Sequence, residues 1–132
     1  MTNSARLALI LLVDDDEDQR ELCGMTLRRF DFRTEQAGNG EIALERAFAL
    51  RPDAILLDHS MPVMDGPETA RRLRADERTR EIPIVMMTGF GASTSAGRAA
   101  RAGDCDAYLT KPCTTDEVVA ALRAALASPG RS

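Results

Sequence analysis

Aromatic residues make up only 4% of this 132-residue chain, with no tryptophan, one tyrosine and one histidine. Its interior must therefore be filled by Leu, Ile, Val, Ala and Met. Lysine is almost missing too: Lys111 is alone among 17 basic residues, the rest being arginines. Because a compact ammonium and a planar guanidinium do different work, that one lysine is a candidate functional residue. A basic excess is also lacking, the net charge being -4, which argues against a general nucleic-acid-binding face. Arg71, Arg72, Arg74, Arg78 and Arg80 do cluster, but Asp76, Glu77 and Glu81 are interspersed, and a solvated helix face is expected. Cys23, Cys105 and Cys113 show no C-x-x-C spacing, so neither a disulfide framework nor a zinc site is indicated, and reduced thiols are expected. The longest apolar run, Leu7 to Val13, is far too short to span a bilayer, and no charged signal-peptide start precedes it. A soluble, cytoplasmic protein is the expectation, built as one domain over residues 1–132 with a core from about 7 to 127 and short tails.

What the chain does have is a set of short apolar runs, each ending on a polar side chain. Leu7 to Val13 reads as a strand covered on both faces and stops at Asp14-Asp15-Asp16-Glu17-Asp18. Ile55-Leu56-Leu57 ends on Asp58, and Pro62 forbids continuation. Ile84 to Met87 ends on Thr88. Ala107 to Thr110, carrying Tyr108, ends on Lys111-Pro112. Arg33 to Ala37 is a more polar strand suited to a sheet edge.

Between these runs lie helical patterns. Glu17 to Phe30 places Leu22, Cys23, Met25, Leu27 and Phe30 mostly on one face. Glu41 to Leu50, Pro67 to about Ala75, and Thr115 to Ala127 follow, the last with Val118, Val119, Leu122 and Leu126 on one side. Ala92 to Ala102 is helix-compatible but has little apolar area to bury. Asp16, Asn39 and Asp65 are suited to cap helices. His59 reads as a rim residue, since neighbouring side chains diverge. The methionines at 61, 64, 86 and 87 read as packing, and nothing near Cys113 favours its thiolate.

Five strands alternating with five helices imply right-handed crossovers and a doubly wound parallel sheet with helices on both faces. In such sheets ligands sit at the carboxyl ends of the strands. Asp14, Asp15, Asp58, Thr88 and Lys111 all fall there. Carboxylates brought that close repel by about 4 kcal/mol per pair at 4 Å and an effective dielectric of 20. A divalent cation relieves this, and an all-oxygen ligand set selects Mg²⁺. A carboxylate nucleophile, Mg²⁺, an ammonium and a hydroxyl are together the ingredients for an aspartyl phosphate.

On these residues the chain resembles the receiver domain of two-component response regulators from about Leu7 to Leu126. The resemblance implies a flavodoxin-like sheet of order 2-1-3-4-5. It implies Asp58, within LLDHSMPVMDG, as phosphoacceptor, and Asp14, Asp15, Asp58 and the Ser60 backbone carbonyl as Mg²⁺ ligands. Thr88 and Lys111 would hold the phosphoryl oxygens, with Thr88 and Tyr108 as switch residues. The donor would be a phosphohistidine on a histidine kinase or phosphotransfer protein, and the face of helix four, strand five and helix five would change. The output would be a downstream protein or a homodimer, with no direct nucleic-acid or membrane contact by this chain. A Mg²⁺-dependent aspartyl-phosphate phosphatase is the rival. Such enzymes carry a second acid two residues after the nucleophile, where this chain has Ser60, and need a substrate-covering cap. A receiver that never takes phosphate is a third reading. Whether the chain stands alone or belongs to a longer regulator is left open.

Overall fold

The computed structural model describes residues 7–89 and 104–127. Five strands, β1 (Leu9–Val13), β2 (Arg33–Ala37), β3 (Ala54–Asp58), β4 (Ile84–Thr88) and β5 (Ala107–Thr110), form one sheet. All pairings are parallel, and the order is β2-β1-β3-β4-β5. Four helices accompany them among the described residues: α1 (Glu17–Arg29), α2 (Gly40–Leu50), α3 (Gly66–Ala75) and the C-terminal helix (Thr115–Ala127). The expected helix from Ala92 to Ala102 lies outside the described residues. No described helix is long and apolar enough to cross a membrane.

The most apolar strands are central, as two-sided burial requires: every residue of β3 is buried, whereas polar β2 lies at an edge. The period of two divides the strand residues between two cores. Leu11, Val13, Ile55, Leu57, Ile84 and Met86 pack with Ala43 and Ala47 of α2 and Ala70 and Leu73 of α3. Ile10, Leu12, Leu56 and Val85 pack on the other face with Leu27 of α1 and with Val118, Val119 and Leu122 of the C-terminal helix. Each fully buried Leu or Ile contributes about 1.5–3 kcal/mol, and together they fix which face each strand residue takes.

Three helix starts are capped as their residue types predict. Asp16 accepts from the Asp18 and Gln19 N–H groups, Asn39 from Ile42, and Asp65 from Glu68. Three expectations are corrected. β1 begins at Leu9, where pairing with Arg33 starts, rather than at Leu7. On α1, Leu22 and Met25 are 65% and 49% exposed, because the covered stripe runs through Cys23, Gly24 and Leu27. Arg74 is no solvated side chain: it donates to the carbonyls of Arg80, Ile82 and Asp104 and pairs with Asp106 at 2.7 Å.

At the start of α3, the Gly66 N–H donates to the His59 carbonyl at 2.8 Å. A Cβ added there would stand 2.5 Å from the Asp58 carbonyl oxygen and 2.9 Å from His59 Cα, both backbone atoms that cannot rotate away. Gly66→Ala should therefore destabilise the chain by about 2 kcal/mol, within the range for overpacking. Urea denaturation checks this, and an unchanged midpoint would show that the loop shifts freely.

Candidate functional site

The same period of two that divides the core also builds the site. On β1, Ile10 and Leu12 face the α1 side, and Asp14 follows them in step; on β3, Leu56 is followed by Asp58. On β5, Ala107 and Leu109 face that side, and Lys111 is next in the alternation. Three strands thus send side chains to one end of one face. Asp14 and Asp58 are 8% and 5% exposed, held at the rim rather than in bulk water.

Backbone pairing fixes the rim. The Asp14 N–H donates to the Ala37 carbonyl, His59 to Met87 and Lys111 to Thr88, the last at 2.7 Å. The Lys111 ammonium reaches Asp58 Oδ1 at 2.5 Å. Asp14, Asp15 and Asp58 each bring a carboxylate oxygen to within 4.8 Å of the others. The acid pair after β1 and the acid ending β3, 43 positions later, are thus one group. Donors of this kind, hard oxygens with no sulfur or imidazole among them, fit Mg²⁺. Ser60 lies in the exposed loop after β3, its hydroxyl 3.3 Å from His59 Nδ1. Those two residues line an open depression with Met61, Pro62 and Asp65.

The electrostatics are those of crowded carboxylates beside one ammonium. Burial pushes the Asp14 carboxyl above the ordinary range, and the charges of Asp58 and Asp15 push further. The Asp16 N–H, which donates to Asp14 Oδ1, and the Lys111 ammonium oppose this without cancelling it. Burial pulls Lys111 down, but the hydrogen bond and charge of Asp58, with the charge of Asp14, outweigh it and hold the ammonium above its usual value.

A carboxyl raised in the folded state binds more protons there, so stability falls as pH rises from the ordinary carboxylate value through the raised one. Asp14→Asn removes a charge repelled by two others while keeping an oxygen for the Asp16 N–H. It should stabilise the metal-free chain by about 1 kcal/mol, a rise of about 4 °C in Tm. Under a Mg²⁺ role for these acids, added Mg²⁺ should raise the wild-type Tm, and Asp14→Asn should abolish that rise. Thermal melts with and without Mg²⁺ at pH 7.5 check both; a lowered metal-free Tm would contradict this reading.

Thr88, buried at the end of β4, lies beside Thr110 in the β4–β5 register, and Met86 lies beside Tyr108. Tyr108 is half-buried and packs on the same core cluster as Met86, on the α2–α3 face of the sheet.

A residue that sequence reasoning missed is Arg20. Its Nη1 donates to the Asp14 carbonyl at 2.7 Å and its Nε to Gln36 Oε1 at 3.1 Å, tying α1 to the ends of β1 and β2. The signal was the i, i+3, i+7 spacing of Arg20, Cys23 and Leu27 on the covered side of α1.

Beside the acids, α1 and the start of the C-terminal helix enclose a groove of about 580 Å³. Leu22, Cys23, Met87, Lys111, Cys113 and Val118 are among its lining residues.

Comparison with known proteins agrees with this geometry. The family model for the response regulator receiver domain matches residues 10–123. The chain is 38% identical over 117 residues to the DNA-binding dual master transcriptional regulator RpaA of Synechocystis, covering 89% of this chain and 48% of the relative. It is 38% identical over 121 residues to the phosphate regulon transcriptional regulatory protein PhoB of Pseudomonas aeruginosa, covering 92% and 52%. The chain thus spans about half the length of these curated relatives. Among solved structures, the receiver domain of a Pseudomonas aeruginosa sensor histidine kinase, with a magnesium ion coordinated in its active-site cleft, superposes with a TM-score of 0.84 at 32% identity, covering 92% and 99% of the two chains. The Vibrio cholerae chemotaxis protein CheY4 gives 0.82 at 29%, covering 90% and 98%. With that match, and with acids and lysine gathered at one rim of a 2-1-3-4-5 sheet, the chain belongs to the response regulator receiver domains of two-component systems.

Proposed function

We propose that Asp58 accepts a phosphoryl group from a phosphohistidine on a histidine kinase or phosphotransfer protein, and that the acyl phosphate switches the domain's partner-binding surface. The observation that carries this reading is the Lys111 ammonium on Asp58 Oδ1 within a ring of three carboxylates. An Asp58 oxygen attacks phosphorus while the bond to the donor's imidazole nitrogen breaks. Asp14, Asp15, Asp58 and the Ser60 carbonyl would hold Mg²⁺, which when bound offsets charge on the phosphoryl oxygens. The Lys111 ammonium then binds one of those oxygens, and the Thr88 hydroxyl donates to another. Thr88 drawn toward the phosphate alters the packing beside it, where Tyr108 lies, and so carries the change outward along β5. Water later attacks phosphorus and returns the Asp58 carboxylate. The domain assists its own charging and discharging and has no free substrate to turn over.

The donor must bring an imidazole in line with Asp58, so it needs surface beside the acids. Exposed Leu22 and Met25 on α1, next to the groove that ends at Lys111, supply an apolar patch for a helix of the donor. The output is a protein target or a second copy of the domain, on the face around β5 and the C-terminal helix. A cytoplasmic location fits a kinase-linked switch. Residues 1–132 act as one receiver domain, with a core from about 7 to 127 that includes the C-terminal helix, whatever longer protein contains it.

Incubation with acetyl phosphate tests the reading. The expected result is about one acid-labile phosphoryl group per chain, formed with Mg²⁺ and absent with a chelator. Multiple turnover of unrelated phosphoesters would favour a phosphatase instead, and Mg²⁺-independent labelling would sink the proposed metal role.

A further inference from the structure

The groove beside the acid site contains a second set of ligating atoms that phosphoryl transfer does not use. Cys23 on α1, Met87 on β4 and Cys113 before the C-terminal helix all line it, and all three pack on the same core cluster. None of the chain's three cysteines is in a disulfide. Cys113 Sγ lies 4.0 Å from Met87 Sδ. Two sulfurs each about 2.3 Å from one ion in a trigonal plane are about 4 Å apart, so this pair already has the spacing of one edge of a three-sulfur site. Cys23, on α1, lines the same groove.

Both thiols are held in their protonated form by their surroundings. Burial pushes the Cys23 thiol up to about 11, and the charges of Asp14 and Cys113 push in the same direction. Burial and Glu117 raise Cys113, against Lys111. A thiophilic cation can displace those protons where a hard cation cannot. Two thiols and a thioether select soft monovalent ions and disfavour the hard divalent ion suited to the acids.

We propose that Cys23, Met87 and Cys113 form a binding site for a soft monovalent cation of the copper(I) class, separate from the oxygen site at Asp14, Asp15 and Asp58. On binding, both thiols release their protons to solvent and the thioether stays neutral, so the bound unit carries one negative charge. Occupancy fastens α1 to the loop that carries Lys111, two residues before Cys113.

Silver(I), which does not change oxidation state here, is the probe. The reduced full chain is titrated in chloride-free buffer without added thiol, and bound ion is followed by thiolate-to-metal absorption. One equivalent is expected to bind tightly. Cys23→Ser and Cys113→Ser should each weaken it by more than the roughly 10–100-fold that outer-shell partners are worth. Cys105→Ser should leave it unchanged, and excess Mg²⁺ should not displace it. Alkylation of the wild-type chain gives a readout free of any variant: bound silver shields Cys23 and Cys113 while Cys105 still reacts. Wild-type affinity in Cys23→Ser, displacement by Mg²⁺, or equal shielding of all three thiols would each overturn the proposal.

Discussion

Asp58→Asn is expected to end phosphoryl uptake altogether, with labelling by acetyl phosphate and Mg²⁺ falling to background. The amide has the shape of the carboxylate but no anionic oxygen to attack phosphorus. Everything around it should persist, because β3 is held by backbone pairing to β1 and β4 and by buried Ile55, Leu56 and Leu57. An unchanged far-UV circular dichroism spectrum beside absent labelling is therefore the predicted combination. Labelling of the variant at the wild-type level would place the nucleophile elsewhere.

Lys111→Gln separates two functions of the ammonium by giving them opposite signs. In the metal-free site Lys111 pairs with Asp58 and its charge opposes the repulsion felt by Asp14. Under the proposed metal role it would thereby compete with Mg²⁺ for the same carboxylates. Removing the charge should tighten Mg²⁺ binding by up to about tenfold, the size of a screened charge interaction near a surface. Phosphoryl uptake should nevertheless fall by about 10²–10³, the usual loss when one donor to a developing oxyanion is removed. Mg²⁺ titration and labelling rate are read on the same sample. Lys111→Arg should not restore the rate, because a planar guanidinium cannot take the place of an ammonium on Asp58 Oδ1. A parallel fall in both quantities would mean that the variant had disordered the rim instead.

Legibility in the sequence followed the physics of each feature. Strands covered on both faces are continuous apolar runs, so β1, β3 and β4 could be placed and the polar residues ending them recognised as rim residues. Caps were legible because Asp16, Asn39 and Asp65 act within three residues of themselves. That Asp14 and Asp58 share a face was implicit in the alternation of Ile10, Leu12 and Leu56, but the ion pair between Lys111 and Asp58 spans 53 positions and needs the fold to bring it together.

The covered side of α1 was misjudged. Apolar periodicity counted Leu22 and Met25, but the helix lies against the sheet through buried Gly24 and Leu27, with Cys23 beside them. A glycine marks close approach and carries no hydrophobic signal of its own. Arginines were misjudged for a related reason. Arg20 and Arg74 are fixed by backbone carbonyl oxygens of Asp14, Ile82 and Asp104, and such partners cannot be read from the charge pattern around them.

The acid group at the rim stands or falls on the identity of one atom. Wild-type chain charged with acetyl phosphate and Mg²⁺, reduced with borohydride and digested, should contain homoserine at position 58 and aspartate at positions 14 and 15. Homoserine at position 14 or 15, or none at any position after acid-labile phosphate has been measured, would contradict Asp58 as the phosphoacceptor.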